Sequence, residues 1–122
     1  MIIEELQREL SKLPDRVVHE ATFHDYVLQV RGSGWTLTST SSWRVVRGGV
    51  LVCGAGQQSA PELIRQLLGK SIERVYAQSA LLKADPVFEL SDGTHLEIFS
   101  DQGLDPWTLS LPWMIFVGAA EE

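Results

Sequence analysis

A chain of 122 residues, 44% apolar and 21% charged, is long enough to bury one core and too apolar for a disordered tail. Its formal charge of −6 disfavours nucleic acid, whose binders neutralise phosphate with Lys and Arg. No apolar run reaches the roughly 18 residues of a membrane span. The lone Cys53 excludes an internal disulfide, and Met1-Ile2-Ile3-Glu4-Glu5 lacks the basic start of a secretory signal, so the expected setting is the cytoplasm.

Residues 2–13 put Ile3, Leu6, Leu10 and Leu13 on one stripe and Glu4, Glu5, Arg8, Glu9 and Lys12 opposite it, an amphipathic helix stopped by Pro14. A strand follows over 16–23, with Val17, His19, Ala21 and Phe23 on one face. Strand 25–31 turns through Gly32-Ser33-Gly34 into 35–39, and 43–47 turns at Gly48-Gly49 into 50–53. Residues 54–59, rich in Gly, Gln and Ser, read as a linker. A second helix then shows a capping box, Ser59 with Glu62, has Pro61 in its first turn and ends at Gly69. After it come strands 71–82 and 85–91, then Asp92-Gly93 and strand 94–100. An Asp-Gly hairpin of this type asks for positive φ at both central residues. Strand 107–111 passes Pro112 into 113–117, an apolar candidate edge.

The order is one helix and five strands, twice. Shifting residues 3–21 by 58 positions brings Glu4, Leu10, Lys12, Arg16 and Val17 onto Glu62, Leu68, Lys70, Arg74 and Val75. Composition alone would give roughly one such identity. The fold class expected is α+β: an internal duplication of a helix plus antiparallel β-meander unit, packed about a pseudo-twofold axis. Residues 1–122 form a single domain, with repeat 1 about 1–54, a linker about 54–59 and repeat 2 about 60–118.

Catalytic grammar is missing. No nucleophile elbow, phosphate loop, dinucleotide fingerprint or zinc spacing occurs. Cys53 sits in a Val-Leu-Val-Cys strand and reads as structural. His19 reads as a core or edge residue, and His24 precedes a turn. His95 and Glu97 share a strand face but lack a third metal ligand. An enzyme built on Asp101, Asp105 and His95 ranks last, so the expectation is no catalysis, no metal and no cofactor. Trp43 and Trp107 hold matching places and read as core plugs.

Charge divides unevenly: residues 1–60 carry six acids and six bases, residues 61–122 ten acids and four bases. The expected partner face therefore combines Trp35, Asp92, Glu97, Asp101, Asp105 and Trp113, an acidic surface with aromatic anchors facing a basic protein. The function expected is a non-enzymatic protein-binding or inhibitor/immunity-type module, with neither nucleic acid nor membrane as partner, in a monomer or weak homodimer. The alternative is a small-molecule binding module with its cleft between the two repeats.

Asp25-Tyr26-Val27-Leu28, Gly69-Lys70-Ser71-Ile72-Glu73-Arg74-Val75, the run from Leu90 to Ile98 and Asp105-Pro106-Trp107-Thr108-Leu109 together resemble a family of small bacterial proteins of unknown function. Those proteins have an Asp-Gly hairpin, a loop and a Trp-x-Leu strand. The resemblance covers residues 15–117 and implies a bacterial cytosolic protein. It supplies no catalytic residues, and the full helix at 2–13 departs from the family pattern.

Overall fold

The computed structural model describes residues 2–81, 85–100 and 105–118. Helix α1 (Ile2–Leu10) buries Ile3, Leu6 and Leu10, as its stripe requires. Five strands follow: β1 (Glu20–His24), β2 (Val27–Gly32), β3 (Trp35–Ser39), β4 (Trp43–Arg47) and β5 (Val50–Gly54). A short α2 (Ala60–Leu63) runs into a 3-10 turn (Ile64–Leu67), then β6 (Ile72–Ala77), β7 (Pro86–Leu90), β8 (Thr94–Ile98), β9 (Trp107–Ser110) and β10 (Ile115–Val117).

Among the described residues these strands make two five-stranded antiparallel sheets, ordered β1-β2-β3-β9-β10 and β6-β7-β8-β4-β5. Each sheet takes three consecutive strands from one half of the chain and two from the other. Moving every strand of the first sheet on by five places gives the order of the second. The helices cross over as well: α1 packs on β6, while α2 and its 3-10 turn pack on β1.

Both inner faces close on one apolar core containing Leu28, Leu37, Phe88, Leu96, Ile98 and Leu109. Phe23 of the first sheet meets Trp43 of the second edge-on, with ring centroids 5.1 Å apart. Trp43 and Trp107 are buried, the packing role their matched positions implied. An antiparallel bridge between Val17 and Ser71 ties the two sheets together. The Val18 N–H donates to Lys70 O at 2.8 Å and the Ile72 N–H to Arg16 O at 3.0 Å on either side of it.

Several local expectations need correction. His19 is exposed just ahead of the edge strand β1 and faces Asp15 at 3.6 Å, so of the core and edge places expected it takes the edge. The Asp15 carboxylate accepts the Val17 N–H at 2.9 Å, and β1 begins only at Glu20. Val17 and Val75 hold different positions, since Val17 bridges Ser71 whereas Val75 lies within β6 opposite Phe88. The connection from helix to strand is shorter in the second half, and the gapless match slips there. The capping box does not form: Ser59 sits in the helical region at φ −84° and its side chain makes no cap bond. Gly69 does end the turn, at φ +81°. At the Asp92-Gly93 turn only Gly93 has positive φ, in a three-residue loop where the Asp92 carboxylate accepts the Thr94 N–H at 3.0 Å. The two-residue turns with both φ positive are Asp25-Tyr26 and Gly48-Gly49 instead. No helix among the described residues is long and apolar enough to cross a membrane.

Candidate interaction surface

Each open sheet has two edges, and a free edge presents unpaired backbone groups to other chains. At β6 the edge is covered. The Gln7 side-chain oxygen accepts the Val75 N–H at 2.6 Å, and Arg16 Nε donates to Ile72 O at 2.8 Å. The β1 edge faces α2 and its 3-10 turn, with an open groove between Glu20–His24 and Pro61, Arg65 and Leu68. On β5, Val50 and Leu51 are exposed, but Val52 is an unopposed bulge residue and Gln57 Oε1 takes the Gly54 N–H at 2.7 Å.

Strand β10 has no comparable device among the described residues. The Leu111 N–H donates to Met114 O and the Gly118 N–H to Trp107 O, both at 2.8 Å. These bonds fix the ladder phase, so the backbone of Phe116 faces β9 and that of Ile115 and Val117 faces outward. Ile115 is 63% exposed, and Trp113, Met114 and Val117 are exposed beside it. Trp113 is held in place by its indole N–H, which donates to Glu9 Oε1 at 2.9 Å. That bond and a stronger one from Lys12 keep the Glu9 carboxyl below its usual range.

The outer face of the first sheet carries charge at its β1–β2 end, where Arg31 faces Glu20 at 3.8 Å, and none across β3, β9 and β10. Alternation with buried Ala21, Val30, Leu37 and Leu109 turns Thr22, Gln29, Thr36, Thr38, Thr108 and Ser110 outward on the first. Thr38 lies opposite Thr108, and Thr36 opposite Ser110, giving a flat hydroxyl surface that runs into Ile115 and Val117. On the second sheet Arg44 meets Glu97 at 2.5 Å and Arg74 meets Glu89. Asp92 receives Lys70 at 2.8 Å and Arg47 at 3.5 Å. Desolvation alone would raise the Asp92 carboxyl, but the bonds from Lys70 and Thr94 outweigh it and hold the group well below the usual carboxylate range.

No protein-family model, curated protein or solved structure matches the chain. The surface has to be read from its own chemistry.

The expected acidic partner face is not assembled. Trp35 is only 2% exposed and belongs to the core, because it alternates inward with Leu37 and Ser39 on β3. Asp92 and Glu97 are in the second sheet and already hold bases of this chain. Asp105 is exposed just ahead of β9, and Asp101 lies outside the described residues. Among the described members of the set, Trp113 alone is an exposed anchor at the β10 edge. Met114, Ile115 and Val117 were not singled out as binding residues. Their signal was a stretch without charge from Pro106 to Ala120 in a chain of net charge −6.

An open groove of about 680 Å³ lies on the other sheet, where β4, β5 and residues 54–57 meet Glu97 and Phe99. The Arg44 guanidinium stands 5.3 Å over the Phe99 ring at its floor. Burial pushes the Cys53 thiol up to about 11, so at neutral pH it is a protonated core group. His95 and Glu97 do share a face, yet among the described residues no group of three His, Cys, Asp or Glu could hold a metal.

Proposed function

We propose that this protein is a non-enzymatic protein-binding module that takes up an extended, uncharged strand along β10. The observation that carries this is the β10 edge, unprotected among the described residues, with the outward backbone of Ile115 and Val117 and apolar side chains around it. Strand addition draws affinity from main-chain hydrogen bonds and specificity from alternate side chains. Trp113, fixed by Glu9, supplies a rigid aromatic anchor of the kind enriched at binding hot spots. The inhibitor or immunity-type role remains compatible with this site. A basic partner is less so at the point of contact, because the acids nearest to forming a patch are neutralised within the chain.

Selection from a random peptide library tests the reading. Alternating apolar sequences should be enriched on the wild type and released by the variant Ile115→Lys/Val117→Lys. Equal binding to both proteins, or no enrichment, would refute it. The groove over Arg44 favours a second reading, a small-molecule module. That reading requires a ligand lost in Arg44→Ala and retained in Ile115→Lys/Val117→Lys.

We also read the fold as an internal duplication about a pseudo-twofold axis, consistent with the small bacterial, cytosolic proteins its motifs resemble. Supporting this are the interchangeable strand orders and the crossed helices. Further support comes from paired main-chain bonds. Thr40 N–H to Pro106 O (3.1 Å) is matched by Phe99 N–H to Ser42 O (2.8 Å). Ala55 N–H to Trp43 O (3.1 Å) is matched by Gly118 N–H to Trp107 O (2.8 Å).

A further inference from the structure

Resting on the strand-binding reading of β10, we infer that the strand this edge takes up is β10 of a second copy of the same chain. The edge sets two requirements for its occupant, an extended backbone and no charge, and β10 meets both. From Pro106 to Ala120 the chain carries no charged residue, so two copies approach there without burying like charges. A basic segment would find no carboxylate along the strand to pair with.

The ladder phase fixes the register of such a pair. Outward-facing residues must exchange hydrogen bonds with outward-facing residues. Of the antiparallel registers on a twofold axis that satisfy this, the one that pairs the whole of β10 sets Ile115 against the partner's Val117 and Phe116 against the partner's Phe116. Ile115 exchanges both its backbone bonds with its mate, and the contact is isologous, as a closed dimer requires. The two first sheets join into one continuous sheet, and the uncharged outer faces of β3, β9 and β10 of both copies meet across the seam. Ile115 and Val117, exposed in the single chain, cover one another across the seam.

The short length of β10 makes this a weak contact, and the net charge sets its salt dependence. Two chains of charge −6 repel one another at long range, and salt screens that repulsion. Association should therefore strengthen as salt is raised, the opposite of an acidic face meeting a basic protein.

Sedimentation velocity on the full chain, from about 10 μM to about 1 mM at low and high salt, tests the inference. The expected result is a monomer–dimer equilibrium that shifts at least threefold toward dimer at high salt. Ile115→Lys/Val117→Lys should be monomeric throughout with an unchanged circular dichroism spectrum, while Leu51→Lys on the β5 edge leaves the dimer intact. Should the double variant fail to fold, amide exchange of the wild type decides instead. Protection at Ile115 and Val117 should rise with protein concentration, with none gained at Val52. A wild type that stays monomeric, a dimer that survives the double Lys variant, or a dimer lost in Leu51→Lys each overturns the inference. A monomeric wild type that still binds library peptides at β10 removes the dimer and spares the strand-binding reading. A dimer indifferent to the β10 changes, with peptides equally indifferent, removes both.

Discussion

Replacing Gly32 by Ala should be among the most damaging single-methyl additions this chain can receive. Gly32 ends β2 opposite Trp35. A Cβ placed there would stand 2.2 Å from Trp35 Nε1, 2.4 Å from its Cε2 and 2.5 Å from the Val17 carbonyl oxygen. None of these atoms can yield cheaply. The indole is only 2% exposed, and the Val17 carbonyl belongs to the backbone at the bridge to Ser71. Restoring ordinary contact needs a shift of roughly 1 Å, and overpacking of this kind costs about 1–3 kcal/mol, here toward the upper end. Gly→Ala returns about 0.4–1 kcal/mol by narrowing the unfolded ensemble, leaving a net loss of roughly 2 kcal/mol. Gly56→Ala is the matched comparator, since its Cβ would meet nothing within 4 Å and its φ is not positive. It should be neutral or stabilising by up to about 1 kcal/mol. Urea unfolding followed by tryptophan fluorescence reads both, with the Gly32→Ala midpoint falling by about 1 M or more at an m-value of about 1–2 kcal/mol/M. A Gly32→Ala protein within about 0.5 kcal/mol of wild type would refute the close approach of strand to indole.

Asp92 has a folded pKa below its unfolded value, so its contribution is present above about pH 4 and is lost as pH falls through the folded value. Asp92→Asn should lower the melting temperature at pH 7, with the gap to wild type closing in acid; a gap that widens below pH 4 contradicts the Lys70 and Thr94 bonds. Cys53, buried and shifted to about 11, should react with a thiol reagent only as fast as the chain opens, so labelling accelerates in urea. Complete labelling of the folded protein within seconds at pH 8 would place the thiol elsewhere. Trp113→Ala should weaken a β10-directed peptide by about 10-fold or more without moving the melting temperature, because the side chain is half exposed and outside the core. Glu9→Ala should weaken the same peptide less, through loss of the indole's acceptor.

The strand segments and hairpins were legible because period-two alternation and glycine turns are local signals. Trp43 with Val45, and Trp107 with Leu109, point inward as that alternation requires. Sequence offset could not say which strands pair across the halves. The β3–β9 and β8–β4 ladders exchange strands between the two halves of the chain, and no local pattern encodes that choice. Turn chemistry misled in both directions. Asp92 spends its carboxylate on Thr94 and keeps negative φ, while Tyr26, 85% exposed, takes φ 62° without glycine's freedom. The acidic face failed for a non-local reason. The bases that neutralise Glu97 and Asp92 come partly from β4, some fifty positions earlier, and charge counts along the chain do not see across a sheet.

The two sheets share inner chemistry and differ outside, and that contrast points to where binding occurs. Leu37 against Leu109 in one ladder stands where Leu96 against Val45 stands in the other, all four buried. On the opposite faces of the same strands, Thr36, Thr38 and Thr108 occupy the places that His95, Glu97 and Arg44 hold in the second sheet. Core positions answer to packing, which tolerates few volumes, whereas outer positions answer to what the face meets. The second sheet's outer face settles its charges internally through Arg44–Glu97 and Arg74–Glu89. The first carries no charge across β3, β9 and β10, and ends in an edge with backbone groups pointing outward. A face without charge solubilises poorly on its own, and interface centres are depleted in charge. Placing Lys at Thr38 should therefore cost little stability yet impair association through β10, whereas Lys at Val46 on the other face should leave association unchanged.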